Sequence, residues 1–140
     1  LVAEAAARNL PVIPIPGPSA LLAALAASGL PWDRFTFLGF LPRRPGRLKR
    51  ELEAGRERTI VFYESPHRVV KTLDIAREVL GDAPCALARE LTKIHEEILR
   101  GPLSAVADVL RARGDVRGEI TVVVAPAETT ADESDEEESE

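Results

Sequence analysis

Methionine is absent from the 140 residues, and the opening Leu1-Val2-Ala3-Glu4-Ala5 reads as the middle of a helix. A translational start is not expected there, so the chain reads as a fragment or a processed product. A single cysteine, Cys85, excludes an internal disulfide framework. In Cys85-Ala86-Leu87-Ala88 it reads as a small buried residue. Two scattered histidines and one cysteine make no zinc pattern, so no metal is expected. Long apolar runs are also missing: Ala20 to Ala27 is an Ala/Leu helix far short of a bilayer span, so no membrane association is expected. No signal peptide is visible, and the cytoplasm is the expected compartment. A P-loop, a GxGxxG loop and a GxSxG elbow are all lacking, which argues against nucleoside-triphosphate and hydrolase chemistry.

What is present begins with an uneven charge. The formal net charge is −5, but residues 127–140 hold eight of the 23 acidic side chains and no basic ones. Without them, 15 carboxylates face 18 basic residues, and the body is about +3. The run Ala131 to Glu140 cannot bury apolar surface and repels itself. A disordered tail is expected, more simply a solubilising extension than a mimic of nucleic-acid charge.

The pattern along the chain predicts alternating elements. Residues 1–9 read as a helix stopped near Asn9. Pro11-Val12-Ile13-Pro14-Ile15-Pro16 reads as an extended strand with few ladder donors. A helix over 20–28 ends at Gly29 and Pro31. Strands are expected over 35–40 and 59–63, with a charged helix over 47–54 between them. Ser65-Pro66 is expected to cap and open a helix whose stripe is Val69, Val70, Leu73, Ala76, Val79 and Leu80. A strand over 86–94 pairs in a hairpin with one starting at Glu97. Ser104 caps a last helix with Val106, Val109 and Leu110 inward, and Glu119 to Val124 closes the fold. The order predicts an α/β or α+β protein: a mixed sheet flanked by helices. A boundary is expected at Leu30 to Asp33, dividing 1–30 from 31–126, with 127–140 as the tail.

Four stretches carry chemistry. The turn Pro16-Gly17-Pro18-Ser19-Ala20 leads into a helix N-terminus, either a plain N-cap or a place where free amides meet an anion. In Glu64-Ser65-Pro66-His67-Arg68, the arginine stands in a first helical turn, against the dipole. An ion pair with Glu64 or Glu90 explains it more simply than a phosphate. In Ala88 to Glu97, alternation puts Arg89, Lys93 and His95 on one face and Glu90, Thr92 and Glu96 on the other. One of those faces is expected to look into a cleft or into solvent. The basic run Arg43, Arg44, Arg47, Lys49, Arg50, Arg56 and Arg58 could neutralise phosphates. Arg47–Glu51 and Lys49–Glu53 have i,i+4 spacing, whereas Arg43 and Arg44 have no such partner, so these two are the expected RNA contacts.

Taken together, Ile13-Pro14-Ile15-Pro16-Gly17-Pro18-Ser19-Ala20, Phe37-Leu38-Gly39-Phe40-Leu41-Pro42, Phe62-Tyr63-Glu64-Ser65-Pro66-His67-Arg68 and Ala88-Arg89-Glu90-Leu91-Thr92-Lys93-Ile94-His95-Glu96-Glu97 resemble the ribosomal RNA small subunit methyltransferase I family. That family belongs to the tetrapyrrole methylase superfamily. The likeness runs from Leu1 to about Ala125. It implies two α/β domains with S-adenosylmethionine between them, residues 1–30 being the last αβα piece of the first. It implies 2′-O-methylation of a cytidine in 16S rRNA of the small ribosomal subunit, often by a homodimer. The family's glycine- and aspartate-containing cofactor loops would precede Leu1, so a fragment starting there is not expected to be active alone. By the same analogy Pro18, Ser19, Ala20, Phe62, Tyr63, Gly118, Glu119 and Ile120 line the cofactor cleft. Arg68 and Arg89 join Arg43 and Arg44 on RNA, and Lys93 holds phosphate too. Candidates for activating the 2′-hydroxyl are Glu64, Glu90, Lys93 and His95, with no choice among them. The competing readings are a porphyrin or corrin methyltransferase on the same fold, and a non-catalytic RNA-binding or dimerisation module.

Overall fold

The computed structural model describes residues 1–126; the acidic stretch 127–140 lies outside the described residues. Ten elements follow one another: α1 (Val2–Ala7), α2 (Ala20–Ser28), β1 (Phe35–Phe40), α3 (Pro45–Gly55), β2 (Thr59–Glu64), α4 (Val69–Leu80), β3 (Pro84–Arg89), β4 (Glu97–Pro102), α5 (Leu103–Arg113) and β5 (Ile120–Val124). The five strands form one mixed sheet in the order β1-β2-β5-β3-β4. β1 and β2 are parallel, and every other neighbouring pair is antiparallel. The last strand therefore lies in the middle, and all five of its residues are buried, as the apolar run Ile120-Thr121-Val122-Val123-Val124 requires.

Strand alternation divides the core in two. Ile60, Phe62, Cys85, Leu87, Ile120, Val122 and Val124 face α3, α4 and α5, which contribute Leu48, Leu52, Leu73, Ala76, Val106 and Leu110. Val61, Ala86, Ala88 and Val123 face the other way, against Ala24 and Leu25 of α2. Arg100 of β4 ties α2 down by donating to the carbonyls of Ala27 (2.6 Å) and Ser28 (3.3 Å). Burial pushes the Cys85 thiol up to about 12.

Several expectations are corrected. Pro11–Pro16 is extended but exposed and unpaired, because prolines supply no ladder donors. The helix after Ser65-Pro66 starts only at Val69, where Arg68 and Val69 amides donate to the Ser65 carbonyl in a preceding turn. His67 and Arg68 thus stand before the helix. β3 ends at Arg89, and residues 90–96 form turns in which Glu90 (φ 52°) and Thr92 (φ 67°) take left-handed backbone. The two-faced alternation across 89–96 therefore does not exist. Ser104 does not cap α5; its amide and hydroxyl donate to Asp82, at 2.8 and 2.5 Å, so an aspartate from another loop holds that helix start. Val109 is exposed, and Ala107 takes the inward place. Lys49 pairs with Glu78 (2.6 Å), not Glu53.

Candidate functional site

The register fixes where the chemistry gathers. Glu64 and Arg89 both lie opposite Ile120, Arg89 lies opposite Glu97, and Phe40 lies opposite Tyr63. The carboxyl ends of β1, β2 and β3 and the start of β5 therefore share one end of the sheet. A cavity of about 450 Å³ opens there, lined by Ala20, Phe40, Tyr63, Glu64, Ser65, Pro66, Gly118, Glu119, Ile120 and Thr121. Ligands of α/β sheets favour this position, beyond the strand ends.

Glu64 is the buried acid of the cavity, 4% exposed. Its Oε1 accepts from the Ser65 amide and its Oε2 from Thr72 Oγ1, each at 2.7 Å. Arg68 stands 3.9 Å away and donates to the Pro42 carbonyl at 3.2 Å. Arg68 thus braces the loop after β1 against the cavity acid, the ion-pair reading of its position. Arg89 is also held within the protein: by Glu97 (3.2 Å) and by the carbonyls of Arg117 (3.1 Å) and His95 (3.3 Å).

A second acidic group lies beside the cavity. Glu90 Oε1 accepts from the Glu119 amide at 2.8 Å and from Lys93 Nζ at 3.2 Å. Those bonds hold the Glu90 carboxyl below the usual range, the backbone amide first. Lys93 also meets Glu119 Oε2 at 3.2 Å, and Glu119, then Glu90, hold its ammonium above the usual lysine range. Gly118 makes this approach feasible: its φ is +97°, and a Cβ there would lie 2.5 Å from Glu90 Oε1. Lys93 is thus held between two carboxylates, with its side chain half exposed. His95 is exposed, and its carbonyl, not its ring, is engaged.

Of the expected cofactor residues, Ala20, Tyr63, Gly118, Glu119 and Ile120 meet in the cavity wall. Phe62 does not: alternation sends its ring into the helical core, fully buried. Pro18 and Ser19 stay outside the lining; the Ser19 hydroxyl caps α2, accepting from the Leu22 amide at 3.4 Å. Arg43 and Arg44 follow β1 on the same end, and among the described residues neither makes an ion pair. Sequence reasoning missed Phe40 and Thr121, and took Ser65 and Pro66 only as a helix start although both line the cavity. The signal for Phe40 was Gly39 inside a strand, which marks a bulge.

This architecture defines a class: residues 1–107 match the family described as Tetrapyrrole (Corrin/Porphyrin) Methylases, and the chain belongs to it. Among solved structures it is similar to a cobalt precorrin-4 methyltransferase, with TM-score 0.62 and 18% identity over 89% of this chain and 56% of that one. It is also similar to the uroporphyrin-III C-methyl transferase from Thermus thermophilus complexed with S-adenyl homocysteine, with TM-score 0.57, 19% identity, 89% of this chain and 57% of that one. Within the family, sequence similarity points to particular relatives. The Ribosomal RNA small subunit methyltransferase I of Mesorhizobium japonicum is 49% identical over 136 residues, 95% of this chain and 46% of the relative. The protein of the same name from Bacillus subtilis is 46% identical over 129 residues, 91% of this chain and 43% of the relative. The chain thus spans about half the length of the curated relatives it matches.

Proposed function

We propose that the chain works as the C-terminal part of an S-adenosylmethionine-dependent methyltransferase acting on a cytidine 2′-hydroxyl of 16S rRNA in the small ribosomal subunit. The observation that carries this is 49% identity, across nearly the whole chain, to a relative named for that subunit's RNA. On this reading the protein acts in the cytoplasm, as a homodimer. Residues 1–30 complete an N-terminal cofactor domain, and 31–126 form the second domain.

The cavity suits the cofactor. Its volume lies within the roughly 300–1,000 Å³ of small-molecule sites, and Tyr63, Phe40 and Ile120 give it apolar walls beside a buried carboxylate. Ala20, Tyr63, Gly118, Glu119 and Ile120 would hold S-adenosylmethionine, which supplies an activated methyl group when bound. The chain's part is to orient the hydroxyl and to take its proton. Of the four candidates for that proton, only Glu64 lines the cavity. Lys93, held protonated, serves as a cation toward phosphate. Arg43 and Arg44 reach RNA phosphate, while Arg68 and Arg89 position the loops that meet it.

The test is transfer of labelled methyl to unmodified small subunits by the chain extended to the length of its relatives. Label on a cytidine 2′-oxygen is expected, reduced about 10²-fold or more by Glu64→Gln. Label appearing only on a porphyrinoid substrate contradicts the RNA reading.

A further inference from the structure

Strand alternation alone would put Phe37 and Phe40 of β1 on opposite faces of the sheet. They share a face. The register runs Phe37↔Val61 and then Phe40↔Tyr63, so one extra residue sits in β1, and Gly39 absorbs it at φ +62°. Such bulges re-aim side chains, often beside functional sites. Both rings meet Tyr63 edge-on: Phe37 at 5.1 Å and 71°, Phe40 at 5.5 Å and 61°. Tyr63 thus serves as a fixed backstop, while Phe40 stays 73% exposed at the rim of the cavity. A large apolar ring held out in water carries a hydration cost that a covering partner would remove.

The surroundings say what covers it. Arg43 and Arg44 follow within four residues, at most about 14 Å of extended chain. Leu41 is 4% exposed and Arg68 grips the Pro42 carbonyl, so this tether is fixed at its root. Arg44, Arg47 and Arg50 line a second, open depression just beyond. An exposed aromatic ring flanked by arginines suits a base with its phosphates, because every base offers a π-face and every nucleotide a negative charge.

We propose that Phe40 is a stacking platform for an unpaired base of single-stranded RNA, with the Arg43, Arg44 and Arg47 guanidinium groups receiving the adjoining phosphates. This deepens the proposed RNA reading and rests on it. It places the ribose of a stacked nucleotide at the mouth of the cavity that Tyr63 and Glu64 line.

The experiment is a fluorescence titration of the chain with a single-stranded RNA of about ten nucleotides carrying 2-aminopurine, against an abasic oligomer of equal length. The expected result is quenching of 2-aminopurine, with affinity about tenfold lower for Phe40→Ala and restored by Phe40→Trp. Affinity for the abasic oligomer should not respond to residue 40. The double change Arg43→Gln, Arg44→Gln should weaken both oligomers and flatten the salt slope by about 1.4. Unchanged base-dependent binding in Phe40→Ala overturns the platform. So does an equal loss on the abasic oligomer, or a change confined to self-association in sedimentation, which would give the ring to a second copy. Stacking that persists while the family-length protein transfers no methyl supports the platform and sinks only the enzymatic reading.

Discussion

The two faces of the sheet are built to different standards. Toward α3, α4 and α5, Leu52, Phe62, Leu73, Leu87, Leu103 and Leu110 are all fully buried, and three helices pack on this face. Toward α2 the sheet is covered by one nine-residue helix, whose contacts are small: Ala24 and Leu25 over Val61, Ala86, Ala88 and Val123. Beyond it Phe37 and Phe40 reach solvent at 41% and 73%. The first face supplies the burial that makes the sheet rigid. The second keeps a cavity and exposed rings, which only a rigid sheet can hold in place.

Mutation should separate the faces. The largest effect is expected from Phe62→Ala, at the centre of the helical face: a loss of about 3–5 kcal/mol in denaturant unfolding. A loss below 1 kcal/mol there would erase the distinction.

Smaller, and pH-dependent, is the clamp joining the helical face to the functional end of the sheet. Glu97 of β4 accepts from the two terminal guanidinium nitrogens of Arg113, each at 2.6 Å, and from Arg89 Nε at 3.2 Å. Arg113 first, with Arg89 behind it, lowers the Glu97 carboxyl from 4.5 to about 2. A depressed carboxylate adds stability that is complete above its unfolded value near 4.5 and is lost as pH falls toward 2. Glu97→Gln should therefore cost about 1–3 kcal/mol at neutral pH, and melting curves of the two proteins should converge toward pH 2. A gap independent of pH would show that Glu97 acts by packing.

Least is expected of Phe37→Ala on the open face. The residue is already 41% exposed, and the edge-on contact with Tyr63 is worth about 0.5–1.5 kcal/mol. A loss matching that of Phe62→Ala would mean the open face carries the fold as well.

These contrasts follow how the fold reads from sequence. Runs such as Ile60-Val61-Phe62 and Val122-Val123-Val124 announce interior strands through composition, and the helix stripes through Leu73, Ala76 and Leu80 announce a covered face. The functional end was legible in its residue types but not in its geometry. Thr92 and Ile94 carry strand-like side chains, yet Glu90 and Thr92 turn the chain with positive φ, with no glycine to signal it. The bond from the Glu119 amide to Glu90 joins segments 29 residues apart, and no local pattern foretells it. The family analogy puts Phe62 and Tyr63 together in the cleft, whereas the pleat sends the two to opposite faces.

The most direct test is amide chemical-shift mapping, with S-adenosylhomocysteine, of the chain extended to the length of its relatives. Ala20, Tyr63 and Gly118 to Thr121 should shift, while Leu48, Leu52 and Leu73 stay still. Shifts centred on the helices of the sealed face, or none at millimolar ligand, would contradict a cofactor site at this end of the sheet.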